Sequence, residues 1–222
     1  MTDRDALLAF LDKAQTQWPE WVLAEVFVPV SQRELARAWL ALRGEWADAA
    51  WAGVDPVPGA AKLGWWQEEL QGWARNAYRH PLGQVLQKQP ADWASLSQAL
   101  PALAASRVQQ GDRGNAVRGL EPVAQALAAT AAGLFAAPLP AEAQDVAASL
   151  LGERALRMPP SGVQGALGAA GLLALPRFTG GSRVERIHAA LLRGRLQRRS
   201  SGRDGASSRI AALLAAWRAA RG

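Results

Sequence analysis

Cysteine is absent from the 222 residues. That excludes disulfides, a thiol nucleophile and cysteine-ligated metal, and it suits a reducing compartment. Histidine is almost absent: His80 and His188 lie far apart, without the paired spacing of a metal site. Lys13, Lys62 and Lys88 are the only lysines among 25 basic residues, and one tyrosine stands beside ten tryptophans. β-Branched residues are few. The one strand-like patch, Val26 to Val30, contains Pro29, which argues for an extended connection. The longest apolar run, around Val123 to Leu139, is broken by Gln125 and closed by Pro138 and Pro140, too weak for a membrane span. The acidic start MTDRDALLAFLDKAQ lacks the basic region and cleavage site of a signal peptide. Walker, GxGxxG, HExxH and GxSxG motifs are missing, as is any specific Ser-His-Asp pattern. The expectation is a soluble, cytoplasmic protein.

What remains is alanine-rich and periodic. Half of the residues are apolar, enough for one mid-sized domain with its own core. Nearly every periodic segment reads as helix, which predicts an all-α fold. The first helix is expected from Asp3 to about Gln15. Ser31 and Glu34 form a capping-box pattern, SQRE, opening a helix striped by Leu35, Trp39, Leu42 and Trp46. Asp92 reads as the cap of a helix interrupted at Pro101. A long alanine-rich helix is expected over Asn115 to Ala137, and Pro140 as the first residue of the next, to about Arg157. Pro159, Pro160 and Gly162 precede another, to Leu175. The organisation expected is a helical domain over residues 1–199, a flexible linker SSGRDGASS over 200–208, and a C-terminal helix over 209–222 packing back on it. That last helix carries Ile210, Leu213, Leu214 and Trp217 on one side.

Charge is uneven. From Arg177 onward eleven arginines face Glu185 and Asp204, a local +9 that leaves −3 for the rest of the chain. A basic tail can meet anionic lipid, nucleic acid or an acidic partner. A solvated charged helix, or the arginine preference of a GC-rich genome, explains it equally. Nucleic acid is the weakest of these, because eight of the ten tryptophans precede Asp92, far from the basic tail.

The stretch KLGWWQEELQG, Lys62 to Gly72, sets two tryptophans beside two glutamates. Leu63, Trp66, Leu70, Trp73 and Ala77 recur at helical steps and line one face. Trp66 therefore belongs to a core, and Trp65, turned about 100° away, covers an edge. On the preceding helix Glu45 and Asp48 share a face. Two antiparallel helices could bring Glu45, Asp48, Glu68 and Glu69 to one cavity, which is how helical proteins hold Mg²⁺. Solvated acids at a helix edge are the plain alternative.

The order of these features resembles the squalene/phytoene synthase family. The resemblance is carried by FVPVSQRELARAWLALRGEWADAAW and KLGWWQEELQGWARNAYRHPLGQVL, from about Phe27 to Leu86, and weakens toward Trp217-Arg218. It implies a single isoprenoid-synthase-like helical domain around a central cavity. Active members join two prenyl diphosphates, holding Mg²⁺ on two aspartate-rich motifs across that cavity. The cavity positions it implies here are Trp39, Leu42, Trp46, Trp65, Glu68 and Glu69. Arg43, Glu45 and Asp48 are the residual catalytic candidates, with Glu45 and Asp48 as metal ligands and Arg43 meeting phosphate.

This chain departs from the motif Arg-x-Asp-Asp-x-x-Asp. It reads Arg43-Gly44-Glu45-Trp46-Ala47-Asp48-Ala49, with Trp46 and Ala49 at aspartate positions. The second motif is also missing: Glu121, Glu142, Asp145 and Glu153 do not form it. Relatives that keep the helices without the aspartates include a respiratory complex I assembly factor. The leading expectation is a family member without prenyl transfer, needing no cofactor and binding an isoprenoid, another lipid or a protein. The alternative is a Mg²⁺-dependent prenyltransferase of terpenoid, carotenoid or hopanoid biosynthesis. A third reading is an adaptor whose Arg-rich C-terminal region touches an anionic membrane peripherally.

Overall fold

Side-chain oxygens start four of the helices by accepting otherwise unpaired backbone N–H groups. Asp92 caps α6, Asp112 caps α8, Ser182 caps α11 and Ser208 caps α12 in a computed structural model that describes residues 3–108, 112–158 and 165–222. The α-helices among the described residues are α1 (Asp3–Gln17), α2 (Pro19–Ala24), α3 (Arg33–Trp51), α4 (Val57–Ala74), α5 (Gly83–Leu86) and α6 (Trp93–Ala99), followed by α7 (Pro101–Ser106), α8 (Arg113–Leu134), α9 (Ala143–Arg157), α10 (Ala169–Leu172), α11 (Arg183–Ser200) and α12 (Arg209–Arg221). No strand occurs among these residues, so the fold is all-α.

Several local expectations change. Ser31 and Glu34 do not form a capping box. Val30–Gln32 is a 3-10 turn, α3 starts at Arg33, and Glu34 pairs with Arg4. The reciprocal box forms at Ser182 and Glu185, where Ser182 N–H donates to Glu185 at 3.0 Å and Glu185 N–H donates to Ser182 Oγ at 3.2 Å. Val26 falls in a 3-10 turn, Glu25–Phe27, and only Val28 and Pro29 are extended. Pro140 precedes α9, whose cap position is Glu142. α4 ends at Ala74, so Ala77 leaves the stripe predicted for it and is exposed. Pro159, Pro160 and Gly162 lie outside the described residues.

α3 is the most buried helix and places its tryptophans against α4. Edge-to-face contacts run from Trp39 to Trp46 at 6.3 Å, Trp46 to Trp66 at 6.2 Å, Trp66 to Trp73 at 6.3 Å and Trp73 to Trp93 at 5.0 Å. Each such pair contributes about 0.5–1.5 kcal/mol beyond the area it buries. Gly59 admits the close approach of the two helices: a Cβ there would lie 2.0 Å from the Ala49 carbonyl oxygen. α8 packs on α9 and α6, and α9 reaches both α3 and α11.

The C-terminal helix packs on α11 and α2, but not through its large side chains. Ala212 and Ala216 are buried, while Ile210, Leu214 and Trp217 are exposed at 73%, 47% and 42%. Three residues of the expected stripe thus face outward, while Leu213 is half-buried. Alanines let α12 lie close to α11, and that approach rotates the bulky residues away.

Candidate functional site

The α3 residues singled out by the resemblance fall into two groups. Trp39, Leu42 and Trp46 are wholly buried in the core. Arg43, Glu45 and Asp48 carry charge, and each meets an opposite charge. The Arg43 guanidinium donates to Glu153 of α9 at 3.0 Å, with both side chains buried. Arg157 donates to Asp48 at 2.7 Å and lies 3.3 Å from the second Glu153 oxygen. Gln17 donates to the other Asp48 oxygen at 2.7 Å. Glu45 pairs with Lys62 of α4.

The glutamates of α4 go elsewhere. Glu68 is exposed and 3.7 Å from Arg79. Glu69 is buried and accepts from the Trp73 indole at 2.8 Å, the Arg79 and His80 backbone N–H groups at 2.7 and 2.9 Å, and Arg79 Nε at 3.0 Å. Burial alone would push its carboxyl up, but these donors outweigh that and hold it below the usual carboxylate range. Glu69 is thus the anchor of the turn after α4. Trp65 covers the edge as expected, half-buried, with the Arg79 guanidinium 5.3 Å from its ring centre.

These positions do not fit Mg²⁺. The ion needs several oxygen ligands in near-octahedral array. Here Glu45 meets Lys62, Asp48 meets Arg157, and Glu68 and Glu69 meet Arg79, and no group of three metal-ligating side chains exists among the described residues.

Residues not singled out in sequence complete the buried network. Glu153 and Arg157 stand four apart on one helix face, a pairing visible in sequence. Arg195 and Glu20, 175 positions apart, carry no such local signal. Arg195 donates to the two Glu20 oxygens at 3.0 and 2.5 Å and covers the Trp18 ring at 3.8 Å. Trp18 in turn touches His188, ring centres 4.7 Å apart.

Burial, then the Arg43, Arg157 and Arg195 charges, pushes His188 well below its ordinary value of 6.5. Burial therefore favours the neutral imidazole in the folded chain, so protonation favours the unfolded chain. The unfolded chain binds more protons below about pH 6.5, so stability is full above that value and falls by up to about 1.4 kcal/mol per unit below it. His80, also held low chiefly by burial, acts in the same direction. Urea midpoints of wild type and His188→Gln, at about pH 7.5 and about pH 5.5, check this. Wild type should lose stability on acidification and the variant lose less; a flat wild-type profile rejects it.

A second arrangement lies between α11 and α12. A half-open groove of about 850 Å³ is lined by Arg177, Arg186, Arg193, Arg198, Arg203 and Arg218. Its floor is small and apolar, with Ala189, Ala212, Ala215 and Leu191. None of the six arginines forms an ion pair among the described residues, whereas Arg37, Arg43, Arg79, Arg157 and Arg195 all do. Arg186, Arg193 and Arg198 donate to backbone carbonyls instead. Burial, and the Arg177 charge beside it, hold the Arg193 guanidinium below its usual value. The groove is a concentration of positive charge that no Asp or Glu side chain lines, although the Glu185 charge acts on Arg186.

No family model matches the chain, and neither does any curated protein or solved structure.

Proposed function

We propose that this chain is a non-catalytic protein of the squalene/phytoene synthase type. On this reading it has an isoprenoid-synthase-like helical fold and binds a lipid or a protein rather than transferring prenyl groups. One observation carries the proposal. Arg43 and Glu45, at positions of the family's first motif, and Asp48, one place before its last aspartate, are spent on Glu153, Lys62 and Arg157. A diphosphate bridged by metal would have to displace those partners. Trp46 stands where the motif has an aspartate, and it is packed between Trp39 and Trp66. The positions therefore serve the interior as structural contacts.

Incubating the pure, folded protein with farnesyl or geranylgeranyl diphosphate, Mg²⁺ and NADPH tests this. The expected result is no pyrophosphate and no triterpene or tetraterpene hydrocarbon. Turnover that Glu45→Gln abolishes would overturn the proposal and make Glu45 a working metal ligand.

A further inference from the structure

α12 borders two surface features that its packing leaves unused, one apolar and one charged. Ile210, Leu214 and Trp217 recur at steps of four and three along its outer side and are exposed. The Arg221 guanidinium lies 4.5 Å from the Trp217 ring centre. Alongside runs the arginine-lined groove, of which Leu214 and Arg218 form one rim. Asp204 is the sole acidic residue between Arg186 and Gly222. No helix among the described residues is long and apolar enough to cross a membrane.

We infer that the α11–α12 face docks on an anionic phospholipid surface, with lipid phosphates in the arginine groove and the α12 stripe at the acyl boundary. Charge decides the occupant. An apolar stripe flanked by carboxylates would fit a basic protein partner; this one is flanked by guanidinium groups that have no carboxylate partner among the described residues, of which Arg177, Arg203 and Arg218 are exposed, and guanidinium matches phosphate geometry. Tryptophan with an arginine over its ring suits the headgroup layer, where one edge of the ring is wet and the other apolar. A surface helix with an apolar side beside clustered arginines lies in the membrane plane rather than across it. The inference concerns α11 and α12 and stands or falls separately from the α3 positions.

Co-flotation of the full chain with phosphatidylcholine vesicles, with and without phosphatidylglycerol, is the test. Binding should require phosphatidylglycerol and weaken as salt is raised. Arg177, Arg203 and Arg218 are exposed and form no ion pair among the described residues, so changing all three to Gln leaves the core intact. Each cation near such a surface is worth roughly fivefold, so the triple variant should bind about 100-fold more weakly at low salt. Trp217→Ser should lose about tenfold through its apolar area. Equal binding to neutral vesicles, or no binding to either kind, would overturn the inference. So would release of bound vesicles by inorganic phosphate at the lipid's own concentration, which would make the groove a site for a soluble phosphoryl ligand. Light scattering that shows a dimer dispersed by Trp217→Ser, without vesicle binding, would assign the stripe to a second copy of the chain.

Discussion

Glu153→Ala should destabilise the protein by about 3–5 kcal/mol. Glu153 is 2% exposed and accepts from Arg43 at 3.0 Å and from Arg157 at 3.3 Å. Removing it leaves the Arg43 guanidinium buried with its carboxylate gone. Arg157 keeps Asp48, at 2.7 Å, so the loss falls mainly on Arg43. The cost is the uncompensated charge, not the worth of the bond. A double change, Arg43→Met with Glu153→Leu, removes both charges and keeps volume, so it should recover most of the loss. Urea unfolding followed by circular dichroism measures all three proteins. A Glu153→Ala loss below about 1 kcal/mol would mean the pair is solvated. Arg43 would then be free to meet an anion, and the structural role assigned to the α3 motif would fail.

Trp46→Ala should cost about 3–5 kcal/mol as well, for a different reason. Trp46 is 1% exposed and makes edge-to-face contacts with Trp39 and Trp66. Truncation opens a cavity at the α3–α4 contact, which Gly59 and Ala49 hold too close to collapse further. Its indole N–H has no hydrogen-bond partner among the described residues, so Trp46→Phe should be far milder than Trp46→Ala. Trp46→Asp, which installs the residue found at this position in the squalene/phytoene synthase motif that the stretch resembles, should be worse than either, because it buries a carboxylate in an aromatic core. Trp65→Ala is the contrast. That ring is half-buried under Arg79, and its loss should cost about 1 kcal/mol. Equal losses at Trp46 and Trp65 would refute the assignment of one to the core and the other to the edge.

The two tryptophans of KLGWWQEELQG were separable in sequence because helical periodicity acts over four residues. Leu63, Trp66, Leu70 and Trp73 are all buried as their spacing requires. Asp92 accepts from Ser95 N–H at 2.9 Å for the same local reason, and the dominance of helix follows from alanine, leucine and arginine propensities. The concentration of arginine toward the C-terminus was legible too.

Partnership was not. Glu45, Asp48, Glu68 and Glu69 looked like a converging set, yet the packing gives Glu45 to Lys62, Asp48 to Arg157 and Glu69 to the turn at Arg79 and His80. Arg43 and Glu153 are 110 positions apart, and Arg195 and Glu20 are 175 apart. No local pattern ranks such pairs, because charge selects among whichever groups the packed helices bring within reach. Ser31–Glu34 and Ser182–Glu185 carry the same spacing, but only the second forms a box; at the first, a 3-10 turn and Arg4 compete. The outward turn of Ile210, Leu214 and Trp217 has the same origin. Periodicity defines a stripe on α12, and the close approach of Ala212 and Ala216 to α11 decides which side is left to the solvent. Helix identity and amphipathic faces come from short-range sterics that residues carry with them. Which face is buried, and which charge neutralises which, is settled by packing the whole chain at once.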